Sequence, residues 1–210
     1  MPPCEPVEHL PDGRVRYGDA VTFRFIPLDI PEVALVEPDT FADDRGFFRT
    51  IYSRVAFAES GIDFALVQAD VSRSARGVLR GLHFRQEPVA AVTLVTVTEG
   101  RIFGVAADMR PGSPTFRRWV SAELSGQDGR ILVVPNGFAH GSVALEEGTT
   151  VSSYLLTDEL RPAHDAGIRW NDPDIAVAWP IAEPILSPQD EALPFLREIT
   201  TTAEQDGQGR

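Results

Sequence analysis

The sequence predicts an all-β protein: a sandwich, jelly roll or barrel of many short strands with one small helix. Short apolar runs rich in Val, Ile, Phe and Thr recur along the chain. Gly, Pro and Asp bound them, and 17 Gly with 17 Pro leave little room for long helices. The runs lie at residues 33–36, 65–71, 78–84, 89–97, 102–109, 119–124, 131–134, 141–144 and 151–156. Glu99-Gly100 and the Gly126–Gly129 segment with its Asp-Gly pair read as turns between them. Residues 21–26 suggest one more short strand. The one helical segment is 54–60, which follows a capping Ser53 and stops at Gly61. Closed all-β architectures of this kind can hold a small ligand inside.

With 210 residues and 43% apolar content, the chain suits one domain with a sizeable core. The expected organisation is a leader at 1–28 whose Pro-rich, acidic start is mobile, a domain at 29–198, and a polar tail at 199–210. The formal net charge is −12, from 31 acidic and 19 basic side chains, which argues against nucleic acid as a partner. A phosphorylated small molecule stays open, because a few arginines in one pocket can act against the global charge. The single cysteine, Cys4, makes no intrachain disulfide and favours a reducing compartment. The first residues lack a signal-peptide pattern, and no apolar run approaches the ~20 residues of a membrane span. A cytoplasmic protein away from membranes is expected.

Of four histidines, His9 lies in the leader and His164 in a polar loop, and both read as solvated. His83 lies inside the strand-like run at 79–84, with Arg80 three residues before it. His140 lies in the Gly-rich turn Pro135-Asn136-Gly137-Phe138-Ala139-His140-Gly141. A lone strand histidine is more often a satisfied core residue than a catalyst. Two of them beside an arginine suit proton transfer on an anionic substrate. No metal is expected, because the clustered ligands that zinc or iron needs are missing. A Gly-x-Ser-x-Gly elbow and a Gly-rich phosphate loop are also missing.

Six segments in order carry a resemblance. They are Asp43-Asp44-Arg45-Gly46-Phe47-Phe48, Gly77 through Phe84, Asp108-Met109-Arg110 with Ser113-Pro114-Thr115-Phe116, Pro135 through Gly141, Ile168 through Pro173, and Leu186 through Asp190. From about residue 31 to 196 the chain resembles the dTDP-4-dehydrorhamnose 3,5-epimerase family. The resemblance implies a cupin-type jelly-roll barrel with one or two short helices, and a homodimer that works without a cofactor. It implies epimerisation of a 4-keto-6-deoxyhexose carried on dTDP, at C3, C5 or both, in deoxysugar or secondary-metabolite biosynthesis. It places the base at His83, its carboxylate partner at Asp190 and the proton donor at Tyr154. Arg45, Arg80 and His140 fall on diphosphate positions, Gln68 on a nucleotide position, and Phe47 among the substrate-binding positions. A regular strand would point Arg80 and His83 to opposite faces, so a bulge at Gly81 or a role in a neighbouring subunit's site is expected.

Several family positions differ here. Thr93 stands where the family has a lysine that steadies an enolate. Gly104 replaces an acidic residue, Thr96 an arginine and Leu160 a tyrosine. Thr50 replaces a glutamate, and Asp70 an asparagine near the diphosphate site. These changes predict a pocket more apolar and less cationic than the family's. The alternative to a sugar-nucleotide epimerase is therefore a repurposed barrel. It would isomerise, dehydrate or cyclise a less charged carbonyl metabolite with the same His/Asp base. A non-catalytic binding protein built on the barrel is the third reading.

Overall fold

The computed structural model describes residues 7–10, 14–17, 21–63, 65–86, 92–155 and 164–199. Two antiparallel sheets face each other. The larger runs β1 (Val7–His9), β2 (Arg14–Tyr17), β3 (Val21–Pro27), β4 (Ala34–Pro38), β12 (Ile131–Val134), β9 (Thr93–Glu99), β14 (Thr149–Leu155), β7 (Gln68–Ser74). The smaller runs β11 (Trp119–Ser125), β10 (Arg101–Asp108), β13 (Phe138–Ala144), β8 (Leu79–Arg85), β15 (Asp165–Gly167). A separate hairpin joins β5 (Thr40–Asp43) to β6 (Gly46–Arg49). The fold is the expected all-β jelly roll with short helices.

Side-chain parity explains why the central runs are continuously apolar rather than alternating. In β12, Leu132 and Val134 enter the core between the sheets, while Ile131 and Val133 enter a second core behind the larger sheet. In β10, Ile102 and Ala106 face the first core, and Val105 and Ala107 face a third core behind the smaller sheet. Both faces of each strand are covered, so both parities are apolar.

The second core explains the helix. Helix α1 (Arg54–Glu59) begins at Ser53, whose Oγ accepts from the Ala56 amide. It inserts Phe57 among Phe23, Phe25 and Tyr52, with ring centroids 5.1–5.4 Å apart. Burial of one such ring stabilises the fold by about 2–3 kcal/mol. Strand β3 supplies two of these rings and pairs with β4, so residues 21–27 are continuous with the sheet.

Expected strand edges move by a few residues. Strand β7 starts at Gln68 rather than 65, β9 starts at Thr93, and β13 starts at Phe138 within the Gly-rich turn. The Glu99-Gly100 turn joins β9 to β10, with Gly100 at φ +78°. The β1–β2 pair, the β5–β6 hairpin and β15 have too little apolar pattern to be read as strands from sequence.

The Asp108 motif is structural. Its buried carboxylate accepts from the Arg110 amide and guanidinium, from Ser113 Oγ and from Thr115 Oγ1, which fixes the turn that leaves β10. No helix among the described residues is long and apolar enough to cross a membrane.

Candidate active site

One end of the barrel opens into a cavity of about 570 Å³. Arg80, His83, Arg85, Thr93, Gly104, His140 and Asp190 all line it. The inner wall is apolar, from Val95, Leu132, Val134 and Val151. All four are buried.

His83 comes from β8, which sits between β13 and β15 in the smaller sheet. Its neighbours across the sheet are His140 on β13 and Gly167 on β15. The expected parity conflict is resolved by a bulge. His83 pairs with His140 and Arg80 with Ser142, so β8 carries one residue more than β13 over this stretch. The bulge lies at Gly81, which has φ +117°. A Cβ there would lie 2.6 Å from Gly141 Cα and 2.7 Å from the His140 carbonyl oxygen, so only glycine fits. Arg80 and His83 consequently line the same cavity.

Asp190 reaches His83 from the far end of the chain. Helix α2 (Pro188–Glu191) starts at Ser187, whose Oγ accepts from the Asp190 amide. The segment is anchored on both sides. Upstream, the Ile185 amide donates to Gly77 and the Leu79 amide donates to Ile185. Downstream, Arg169 donates to the carbonyls of Glu191 and Leu193. The buried Asp172 carboxylate also accepts from the Leu196 amide at 2.7 Å. Thus held, Asp190 Oδ1 lies 2.6 Å from His83 Nε2, and Ser187 Oγ donates to Oδ2 at 2.7 Å. The carboxylate is nearly buried while the imidazole is 42% exposed. Burial opposes ionisation of Asp190, but hydrogen bonds from His83 and Ser187 outweigh it and hold its pKa below the ordinary value. With Nε2–H committed to a carboxylate, the basic lone pair of His83 lies on Nδ1.

His140 behaves differently. Burial, then the charges of His83 and Arg85, push its pKa from 6.5 down to about 4. Near neutral pH it is a neutral hydrogen-bonding group, not a cation.

The other expected residues divide. Gln68 is not in the cavity wall. Its amide donates to the Asp70 carboxylate at 2.9 and 3.0 Å, and Asp70 does line the cavity. Arg45 and Phe47 also stand away from the cavity, on the β5–β6 hairpin, with Arg45 paired to Asp43. The Arg45 side chain is 90% exposed and Phe47 is 61% exposed. The backbone of Tyr154 pairs with Leu94 and Ala69. Its side chain, and all of Leu160, lie outside the described residues. Among the described residues, no group of three or more His, Cys, Asp or Glu could hold a metal.

The cavity holds one cationic side chain that lies outside the family motifs. Arg85 also lines the cavity, two residues beyond His83 on the same face of β8. The spacing of His83 and Arg85 in the sequence carried this signal.

Comparison with known proteins places the chain. Residues 27–198 match the family described as dTDP-4-dehydrorhamnose 3,5-epimerase. The dTDP-4-dehydrorhamnose 3,5-epimerase of Pseudomonas aeruginosa is 48% identical over 165 residues, which are 78% of this chain and 90% of that protein. The Bacillus anthracis enzyme of the same name, solved with TDP and PPi bound, superposes with a TM-score of 0.80 at 40% identity. That match covers 83% of this chain and 99% of the other. NovW, a 4-keto-6-deoxy sugar epimerase from the novobiocin biosynthetic gene cluster of Streptomyces spheroides, gives a TM-score of 0.82 at 35% identity. It covers 86% of this chain and 91% of its own. With its barrel, its His83–Asp190 pair and these matches, the chain belongs to the dTDP-4-dehydrorhamnose 3,5-epimerase family.

Proposed function

We propose that this protein is a cofactor-independent epimerase of a dTDP-linked 4-keto-6-deoxyhexose, acting at C3, C5 or both, in deoxysugar or secondary-metabolite biosynthesis. The observation that carries the reading is the 2.6 Å contact between His83 and the nearly buried Asp190 on the wall of a sugar-sized cavity. A ketone at C4 acidifies the hydrogens on C3 and C5. His83 Nδ1 removes one of them, and the C–H electron pair becomes an enolate. Asp190 stabilises the imidazolium that forms and keeps the base in one tautomer. A second donor, for which Tyr154 is our choice, returns a proton to the opposite face and inverts the centre. Arg80, exposed at the cavity with its Nε on Ser74 Oγ, suits the diphosphate. His140 contributes to the same group as a neutral donor, and Gln68 helps hold the nucleotide.

Arg45 and Phe47 bind substrate in this reading through a homodimer. Their hairpin exposes Phe41, Phe47 and Phe48 together, a surface suited to cover by a second copy. The single Cys4 suits a cytoplasmic enzyme.

Solvent exchange tests the reading. The protein and dTDP-4-keto-6-deoxyglucose are mixed in D2O and followed by NMR and mass. Deuterium uptake at C3, C5 or both is expected, and His83→Asn should abolish it without lowering the melting temperature. No uptake by the wild type would sink the reading.

A second reading is supported by the neutral inner wall, where Thr93 and Gly104 sit among valines and Leu132. A repurposed barrel for a less charged carbonyl metabolite would keep the His83–Asp190 base. In that case dTDP would give no thermal stabilisation.

A further inference from the structure

The proposed reaction makes an oxyanion, and the inner wall offers it little. When the C–H pair moves into the new C=C bond, the carbonyl π pair moves onto oxygen. That oxygen then bears a full negative charge, while the inner wall presents Thr93, Gly104 and apolar side chains. Among the described residues that line the cavity, the arginines are Arg80 and Arg85. Arg80 is exposed. Arg85 has a side chain only 14% exposed and is ion-paired to Asp165 directly across from it on β15. It projects from the same face of β8 as the base His83. We infer that Arg85 is a further residue of the reaction, its guanidinium aimed by Asp165 to meet the enolate oxygen as His83 removes the proton. The inference rests on the epimerase reading of this site and adds the group that stabilises its intermediate.

The placement of Arg85 and the chemistry of guanidinium support it. Arg85, His83 and His140 line one cavity, and His140 is the residue paired with His83. A buried charge works in a medium of lower effective dielectric than an exposed one, so the same cation is worth more there. Guanidinium also stays charged at every working pH and presents two N–H groups in one plane, which suits one oxygen while the other edge stays on Asp165. Proton and charge balance without a co-reactant. The proton goes to His83, the negative charge goes to the ketone oxygen beside Arg85, and both are reversed when a proton returns to carbon.

The test compares wild type, Arg85→Gln, Arg85→Lys and Asp165→Asn, using deuterium uptake into dTDP-4-keto-6-deoxyglucose and the dissociation constant of dTDP alone. Arg85→Gln is expected to lower the saturated exchange rate about 100–1000-fold, the loss typical for one oxyanion donor. Its dTDP affinity should stay within about threefold of wild type, and Arg85→Lys should recover at least tenfold of the rate. Asp165→Asn should fall between wild type and Arg85→Gln. Wild-type exchange by Arg85→Gln would overturn the inference while leaving the epimerase reading intact. Loss of dTDP affinity at an unchanged saturated rate would do the same, by assigning Arg85 to the diphosphate. If Arg85→Gln and Asp165→Asn melt lower together and Arg85→Lys recovers no rate, the pair is only a latch between β8 and β15. A wild type that exchanges nothing removes both proposals.

Discussion

Replacing His140 by Gln should flatten the acid limb of the stability profile. His140 titrates near 4 in the folded chain against an ordinary 6.5, because burial and the charges of His83 and Arg85 disfavour the imidazolium. Above pH 6.5 the ring is neutral in both states and contributes no pH dependence. Below it the unfolded chain takes up a proton that the folded chain refuses, so stability falls with falling pH until the folded value is passed. At ~1.4 kcal/mol per pH unit, the loss is about 2 kcal/mol between pH 7 and pH 5, with a ceiling near 3 kcal/mol. Asp190 works in another window. Its pKa is lowered, so its contribution is lost only as pH falls below the ordinary carboxylate range. For a domain of this size 2 kcal/mol corresponds to about 4–8 °C in Tm. The assay is thermal or urea unfolding of wild type and His140→Gln at pH 7, 6 and 5, at one protein concentration so that dimerisation does not intrude. The wild type should lose about 2 kcal/mol more than the variant. Parallel profiles would refute the claim that His140 is held neutral, and would return it to the cations available for a diphosphate.

Three other perturbations probe the frame around it. Asp190→Asn keeps the shape but removes the charge that steadies an imidazolium. It should slow deuterium exchange about tenfold to a hundredfold and cost about 1–3 kcal/mol of stability; equal exchange would show that the 2.6 Å contact has no catalytic role. Gly81→Ala forces a Cβ against Gly141 and the His140 carbonyl at a φ of +117°, so a loss of about 3 kcal/mol and displacement of Arg80 from the cavity are expected. An active variant as stable as wild type would mean that the bulge is not what brings Arg80 and His83 to one cavity. Phe47→Ser with Phe48→Ser should convert a dimer to a monomer by sedimentation equilibrium and lower dTDP affinity. A wild type that sediments as a monomer would end the homodimer reading.

Much of the fold was legible because it is written in one-dimensional periodicity. Runs such as 131–134 and 102–107 carry no polar side chain since each faces two cores, and a buried strand looks the same from sequence as from structure. What stayed hidden were elements with little apolar pattern. The β5–β6 hairpin exposes most of its side chains, and β15 is Asp-Ala-Gly, an edge strand paired to β8. Pairing is a property of two segments, and a three-residue edge strand carries no record of its partner.

The site divides along the same line, and one residue explains the division. His83 and Asp190 were placed by motif, 107 residues apart, and the structure joins them. The family motifs point to the changes at Thr93 and Thr96 and say nothing of Arg85. Strand parity would have found it, since residues 83 and 85 share a face on any regular strand. The difficulty arose upstream, at Gly81, where the bulge breaks the parity count between Arg80 and His83 but leaves the count from His83 to Arg85 intact. A single glycine at positive φ therefore does two things. It turns Arg80 into the cavity beside the base, and it leaves His83 and Arg85 in regular register across from His140 and Asp165. The cationic side of this pocket is set by backbone geometry as much as by side-chain identity. For that reason Gly81→Ala should disturb Arg80 more than Arg85, a difference that dTDP affinity and saturated exchange rate read separately.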